Sequence, residues 1–360
     1  MNEYFWEFSA RPILWVAGTA VAIGLIAFAA FRLGGLPLLP KPSPDTALRD
    51  ARALADEGKH QEALIKFNEA IDGGTRDPSA LLARGACLLD LGRPAEAAQD
   101  FARFAESQPG NADAMAQIGR ARAMQEDHAG ALAAFDRSLA IDKDAADVWY
   151  WKAGALFRLG RDAEAEDAYG RAIALNPLLG AAFEGRAQVR LQLRQFAPAL
   201  DDFTVARQLM PVSPTLLSGF GLALMALGRL PEAEAAFSEA IRMDPATPRT
   251  LHNRALARFA MGQHGPALQD AEEALRRDPS LQKVHLLRGM ILAKEARHAD
   301  AIPCLSEAIR LDPSDAEAYR HRATSLRALG RIAAAQQDEA LAAPQSKSPP
   351  PIPTPPLQPR

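Results

Sequence analysis

The chain has 360 residues, 48% of them apolar, which is ample material for a large buried core. Its 41 basic and 44 acidic residues leave a net charge of −3 with both signs interspersed, and this excludes the basic stripe of a general nucleic-acid binder. Two cysteines, Cys87 and Cys304, form neither a disulfide framework nor a metal-binding pair.

Residues 13–31 are 19 consecutive residues without a charge, bracketed by Arg11 and Arg32. As a helix the run spans roughly 28 Å, close to the hydrocarbon thickness of a bilayer. Tyr4, Phe5, Trp6 and Trp15 suit an interfacial aromatic belt. An N-terminal transmembrane anchor over residues 1–33 is therefore expected. The alternative is a cleaved signal peptide, since Ala27-Phe28-Ala29 fits an A-x-A site, and the product would be a soluble periplasmic or secreted protein. The length of the run and the acidic Glu3 and Glu7 ahead of it favour the anchor. Arg32, Lys41, Arg49 and Arg52 after the span outnumber Arg11 before it, which leans the following residues towards the cytoplasmic side. Residues 34–44 read as a stiff proline-rich linker.

From residue 45 to residue 342 the chain repeats. Alanine recurs every 34 residues, at Ala63, Ala97, Ala131, Ala165, Ala199, Ala233, Ala267, Ala301 and Ala335. Four residues later there is usually a ring: Phe67, Phe101, Phe135, Tyr169, Phe203 and Phe237. Gly58, Gly92, Gly160, Gly228, Gly262 and Gly330 share one slot, and Pro109, Pro177, Pro211, Pro245, Pro279 and Pro313 another. In the fourth repeat, Trp149, Ala153 and Leu156 mark one face of a first helix. Gly160 turns the chain, and Ala165, Tyr169 and Ala172 mark a second helix that Pro177 ends. Each helix pair exposes apolar faces that only stacking can bury. Pro94, Pro198, Pro231 and Pro266 fall at the start of second helices, where a missing N–H costs little. Pro303 lies about a turn deeper and is expected to shorten its helix or delay its start. The junction at 72–78 carries a late proline and is expected to be irregular, and Glu339 replaces the ring in the last repeat, as suits a solvent-facing end.

The polar residues suggest no chemistry. His60, His128, His264 and His298 share one slot just after the turn and read as turn packing. There is no zinc-protease helix motif, nucleophile elbow or phosphate loop, so no catalytic, cofactor or metal residues are expected, and no small-molecule substrate. Asp45, Asp113, Asp147 and Glu184 lie near the starts of first helices, where exposed N–H groups favour carboxylates, and Ser79 fills the slot of the three aspartates in the second repeat as an equally good cap. Residues 343–360 hold eight prolines and read as a disordered tail of polyproline II character.

In period and in the shared frame of small residue, alanine, ring and proline, residues 45–342 resemble the tetratricopeptide repeat family. The resemblance implies an all-α, right-handed solenoid of about nine helix pairs with no catalytic domain. It also implies a protein-binding scaffold whose ligand lies on the face lined by first helices. On that face the sixth repeat offers Leu222 and Met225, the seventh Arg249, His252, Leu256 and Phe259, the eighth Lys283, Leu286, Met290 and Lys294, and the ninth Arg320 and Arg327. Together they form an apolar floor with a basic rim, suited to a protein or peptide with acidic residues beside apolar anchors. The clamp with which some members hold chaperone tails is incomplete. Asn253 and Lys283 match it, while Ser218, Leu222 and Leu287 fill its other three positions. Similar anchored repeat proteins serve as accessory subunits or chaperone-like receptors of membrane assemblies, and those roles stay open beside a simple adaptor.

Overall fold

In a computed structural model, residues 43–343 are described, and the expected anchor, most of the linker and the tail lie outside them. The described residues form eighteen α-helices and no strand. The described residues divide into two compact units, 43–125 and 126–343. The first holds α1 (Pro44–Asp56), α2 (His60–Asp72), α3 (Ser79–Asp90), α4 (Pro94–Ser107) and α5 (Ala112–Met124). The second opens with α6 (His128–Ile141), α7 (Ala146–Arg158), α8 (Asp162–Leu175), α9 (Gly180–Gln192), α10 (Phe196–Leu209) and α11 (Pro214–Ala226). It continues with α12 (Leu230–Met243), α13 (Pro248–Ala260), α14 (His264–Arg277), α15 (Gln282–Lys294), α16 (His298–Leu311), α17 (Ala316–Ala328) and α18 (Ile332–Ala342). No described helix is long and apolar enough to cross a membrane.

Local chemistry sets the helix ends. Ser213 accepts from the Leu216 N–H at 3.1 Å ahead of α11, whose first residue is Pro214. Asn111 caps α5 and Asp315 caps α17 in the same manner. Before α4, α8 and α12, an arginine grips a glutamate three residues on: Arg93–Glu96, Arg161–Glu164 and Arg229–Glu232. These exposed pairs contribute little energy but fix the turn. Most turns place glycine at φ of 70–76°. At three of them Glu126, Arg194 and Ala296 adopt φ near +60° instead, a conformation that costs a side chain about 1–2 kcal/mol.

Packing follows the repeat. Phe67, Phe101, Phe135, Phe203 and Phe237 are wholly buried. Each such ring stabilises the stack by about 2–3 kcal/mol. The small residue of the next slot is a steric necessity: a Cβ on Gly221 would come within 2.6 Å of the Phe237 ring. Glu339 stands in the ring slot of α18, where the Arg327 guanidinium holds it at 2.6 Å.

Three sequence expectations need correction or detail. Pro303 neither shortens nor delays α16, which runs through it from His298 to Leu311 at the length of its counterparts. The 72–78 junction is a glycine turn, with Gly74 at φ +82°. Arg52 closes it by bonding Asp77 at 2.8 Å and Ser79 at 2.5 Å, and Asp77, not Ser79, receives the Ser79 N–H. Asp45, Asp113 and Asp147 do lie in first turns, but Glu184 is the fifth residue of α9 and caps nothing.

Candidate ligand groove on the first helices

Within the second unit, successive first helices (α7, α9, α11, α13, α15, α17) touch one another, whereas successive second helices do not. The first helices therefore line the tighter edge of the stack, and their outward slots make a continuous surface.

The expected floor and rim are on this edge, with one exception. Arg249, Lys283, Lys294, Arg320 and Arg327 are exposed, and His252, Leu256, Phe259, Leu222, Met225 and Met290 are half-buried. Leu286 is corrected: it is 4% exposed and belongs to the core with Leu305 and Tyr319. A leucine in that slot turns inward, while the arginine of the next repeat, Arg320, keeps its charged end in water. Phe259 leans towards the turn, its ring 5.5 Å from that of His264. Leu256 lies on the same small cluster of Ala255, Ala267, Leu287 and Ile291.

The rim charges fall into two groups. Lys283 is held by Asp315 at 3.0 Å, and Arg327 by Glu339. Arg249, Lys294 and Arg320 make no ion pair among the described residues. Between α13 and α15 a cleft of about 370 Å³ opens, lined by Arg249, His252, Asn253, Gln282 and Lys283 together with Ser280, Leu281 and Val284. Burial, and secondarily the Lys283 ammonium, pulls the His252 imidazole down to about 4, so it is neutral at pH 7. Its Nδ1 is buried without a partner. A neutral ring beside two cations is a hydrogen-bonding wall, and the rest of the cleft's surface is mostly apolar, so it suits an apolar side chain carried beside an acidic one.

Sequence reading missed a buried ladder of ion pairs behind this surface. Arg84–Asp100, Arg186–Asp202, Arg254–Asp270 and Arg322–Asp338 are two-pronged pairs at 2.6–2.9 Å, each linking the first and second helices of one repeat. The four aspartate side chains are 4–7% exposed. Arg190 and Arg258 add a third prong to Asp202 and Asp270 and reach back to Glu166 and Glu234, all at 2.8–2.9 Å. The signal was available as arginine sixteen residues before aspartate in one frame. Where Ala134, Ala168, Ala236 or Cys304 replaces the aspartate, the arginine slot becomes Ile118, Lys152, Phe220 or an arginine, Arg288, that turns to Glu272 instead. These pairs are structural. Among the described residues no three metal-ligating side chains stand together.

A family model described as Tetratricopeptide repeat matches residues 122–182. A second model of the same description matches 48–112, 82–146, 184–248, 252–316 and 286–349. No curated relative matches the chain. Among solved structures, a chain of the APC/C hetero-tetramer Cut9–Hcn1 is 18% identical with a TM-score of 0.58, over 84% of this chain and 59% of that one. The chain thus spans less than two thirds of that relative's length. A tetratricopeptide repeat protein from Parabacteroides merdae is 19% identical with a TM-score of 0.51, over 69% of this chain and 98% of that one. The PilF protein of Pseudomonas aeruginosa is 14% identical with a TM-score of 0.51, over 57% and 93%. At these identities the likeness is one of fold.

Proposed function

Since the chain belongs to the tetratricopeptide repeat family, we propose that it is a membrane-anchored scaffold whose first-helix groove holds a segment of a partner protein. The observation that carries this reading is the set of unpaired cations Arg249, Lys294 and Arg320 around the half-buried Leu256 and Met290 and the cleft beside His252. Exposed cations held in no close ion pair among the described residues, set around apolar side chains, suit a ligand with acidic residues beside apolar anchors. The apolar contacts would supply most of the affinity, and the charges mainly orientation and rate. The role is binding, not catalysis.

The anchor rests on the uncharged run at residues 13–31 and its flanking arginines, with the repeats on the cytoplasmic side. Two experiments test the proposal. The first is capture of partners in mild detergent by the full chain and by an Arg249→Glu/Arg320→Glu variant. A partner kept by the first and lost by the second is expected; equal capture by both would place binding elsewhere. The second is a carbonate wash of isolated membranes. The full-length chain is expected in the pellet, and a shortened soluble chain beginning near Ala30 would show cleavage instead.

A further inference from the structure

Glu184 lies in the groove-lining slot that His252 fills two repeats later. It is half-buried in α9 and makes no hydrogen bond or ion pair among the described residues. Burial holds its carboxyl above the ordinary range, and no cation among the described residues offsets this. Two phenols lie near it: Tyr150 fills the same slot one repeat earlier, on the first helix that touches α9, and the Tyr169 hydroxyl lies against Gly185, the chain neighbour of Glu184. Tyr150, half-buried on α7, and Tyr169 on α8 have ring centroids 5.9 Å apart at 55°. Both are pushed up, first by burial, and the Glu184 charge acts on each of them.

Tyr169 stands where the other long second-helix rings are phenylalanines. It is 5% exposed, and its hydroxyl has no partner among the described residues. That hydroxyl reaches between two glycines. A Cβ on Gly185 would lie 2.7 Å from it, and one on Gly154 at 3.7 Å. Gly154 shares its slot with Leu222, Leu256 and Met290, which cover the floor in later repeats. A Cβ on Gly154 would have nothing but that hydroxyl within 4 Å, so the slot is open beside it.

We propose that Glu184, Tyr150 and Tyr169 form a pocket for a basic side chain, lysine or arginine, of the bound protein segment. The cation would meet the carboxylate at one wall and the electron-rich face of Tyr150 at another, with the Tyr169 hydroxyl accepting at the floor. This pocket rests on the groove reading and adds to it an attraction of opposite sign to that of the seventh to ninth repeats. The segment it selects carries a basic residue as well as acidic ones.

The probe is a phage-displayed library of random short peptides, panned on the full chain in mild detergent. Peptides enriched in lysine or arginine are expected, and which of the two dominates identifies the cation. A selected basic peptide should bind Glu184→Gln about tenfold more weakly. It should bind Tyr169→Phe about tenfold more weakly, by loss of the hydrogen bond that the cation donates to the hydroxyl. Tyr169→Phe keeps the ring that Phe135 and Phe203 already show to fit, so the fold survives as a control. Enriched peptides without basic residues, or a basic peptide held equally by Glu184→Gln, would overturn the pocket and leave the groove standing. No enrichment by any peptide, with Arg249→Glu no different from the native chain, would overturn both.

Discussion

The fifth and seventh repeats share a frame and differ in what they put on it. Both bury the aspartate of a two-pronged pair, Asp202 with Arg186 and Asp270 with Arg254. Both recruit a second arginine, Arg190 or Arg258, to the same carboxylate. On the groove side, one slot holds Glu184 in the fifth and His252 in the seventh, and burial disfavours the charge of each. The interior of the repeat is thus fixed by packing and pairing. The groove slot is free to change, from an acid at Glu184 through the neutral His252 to a cation at Arg320 in the ninth repeat. The comparison teaches that the slots that fix the fold and the slots proposed here to meet a ligand are different positions of the same 34 residues.

The largest effect should come from the shared interior. Asp270→Ala leaves Arg254 and Arg258 buried without their carboxylate and should destabilise the second unit by about 3–5 kcal/mol, read by chemical denaturation. Asp202→Ala should act alike, and a loss under about 1 kcal/mol in either would break the equivalence of the two repeats.

The next concerns His252. As pH falls below 6.5 the unfolded imidazole gains a proton that the folded one refuses until about 4. Stability should therefore decline across that window, by about 3 kcal/mol at most. Melts of His252→Gln against the native chain isolate this part; the variant should show a flatter profile.

Turns supply a smaller test. Arg194 in the fifth repeat holds the left-handed conformation that Gly262 holds in the seventh. Arg194→Gly should raise stability by about 0.5–1 kcal/mol, and Gly262→Ala should lower it by a similar amount or more.

Glu184→Gln should give the smallest shift. The folded carboxyl is raised, so its ionisation opposes folding above the ordinary carboxylate range and the cost vanishes below it. The variant should melt slightly higher at pH 7, by under about 1 kcal/mol after screening at this half-exposed site, and match the native chain at pH 4.

Periodic apolar residues carried the fold into view: alanine, ring and glycine slots marked helix pairs before any coordinates. The buried ladder was less legible, because arginine and aspartate sixteen apart look like solvated surface until a turn brings two helices together. Leu286 was placed in the groove because a slot says which way a helix faces but not how deep a leucine will turn. Glu184 looked like a cap because it lies near a helix start. Only the tyrosines opposite it, one on the same repeat face and one from a second helix, reveal a different environment. Residues 13–31 are read from sequence alone.

The central claim is that the first-helix edge of the second unit holds a partner. The direct measurement is photo-crosslinking in cells with a benzophenone amino acid at Leu256, in the groove, or at Arg242, exposed on α12. The account predicts a discrete adduct from position 256 that Arg249→Glu/Arg320→Glu abolishes, and none from position 242. Adducts from position 242 alone, or from position 256 untouched by the charge reversal, would contradict it.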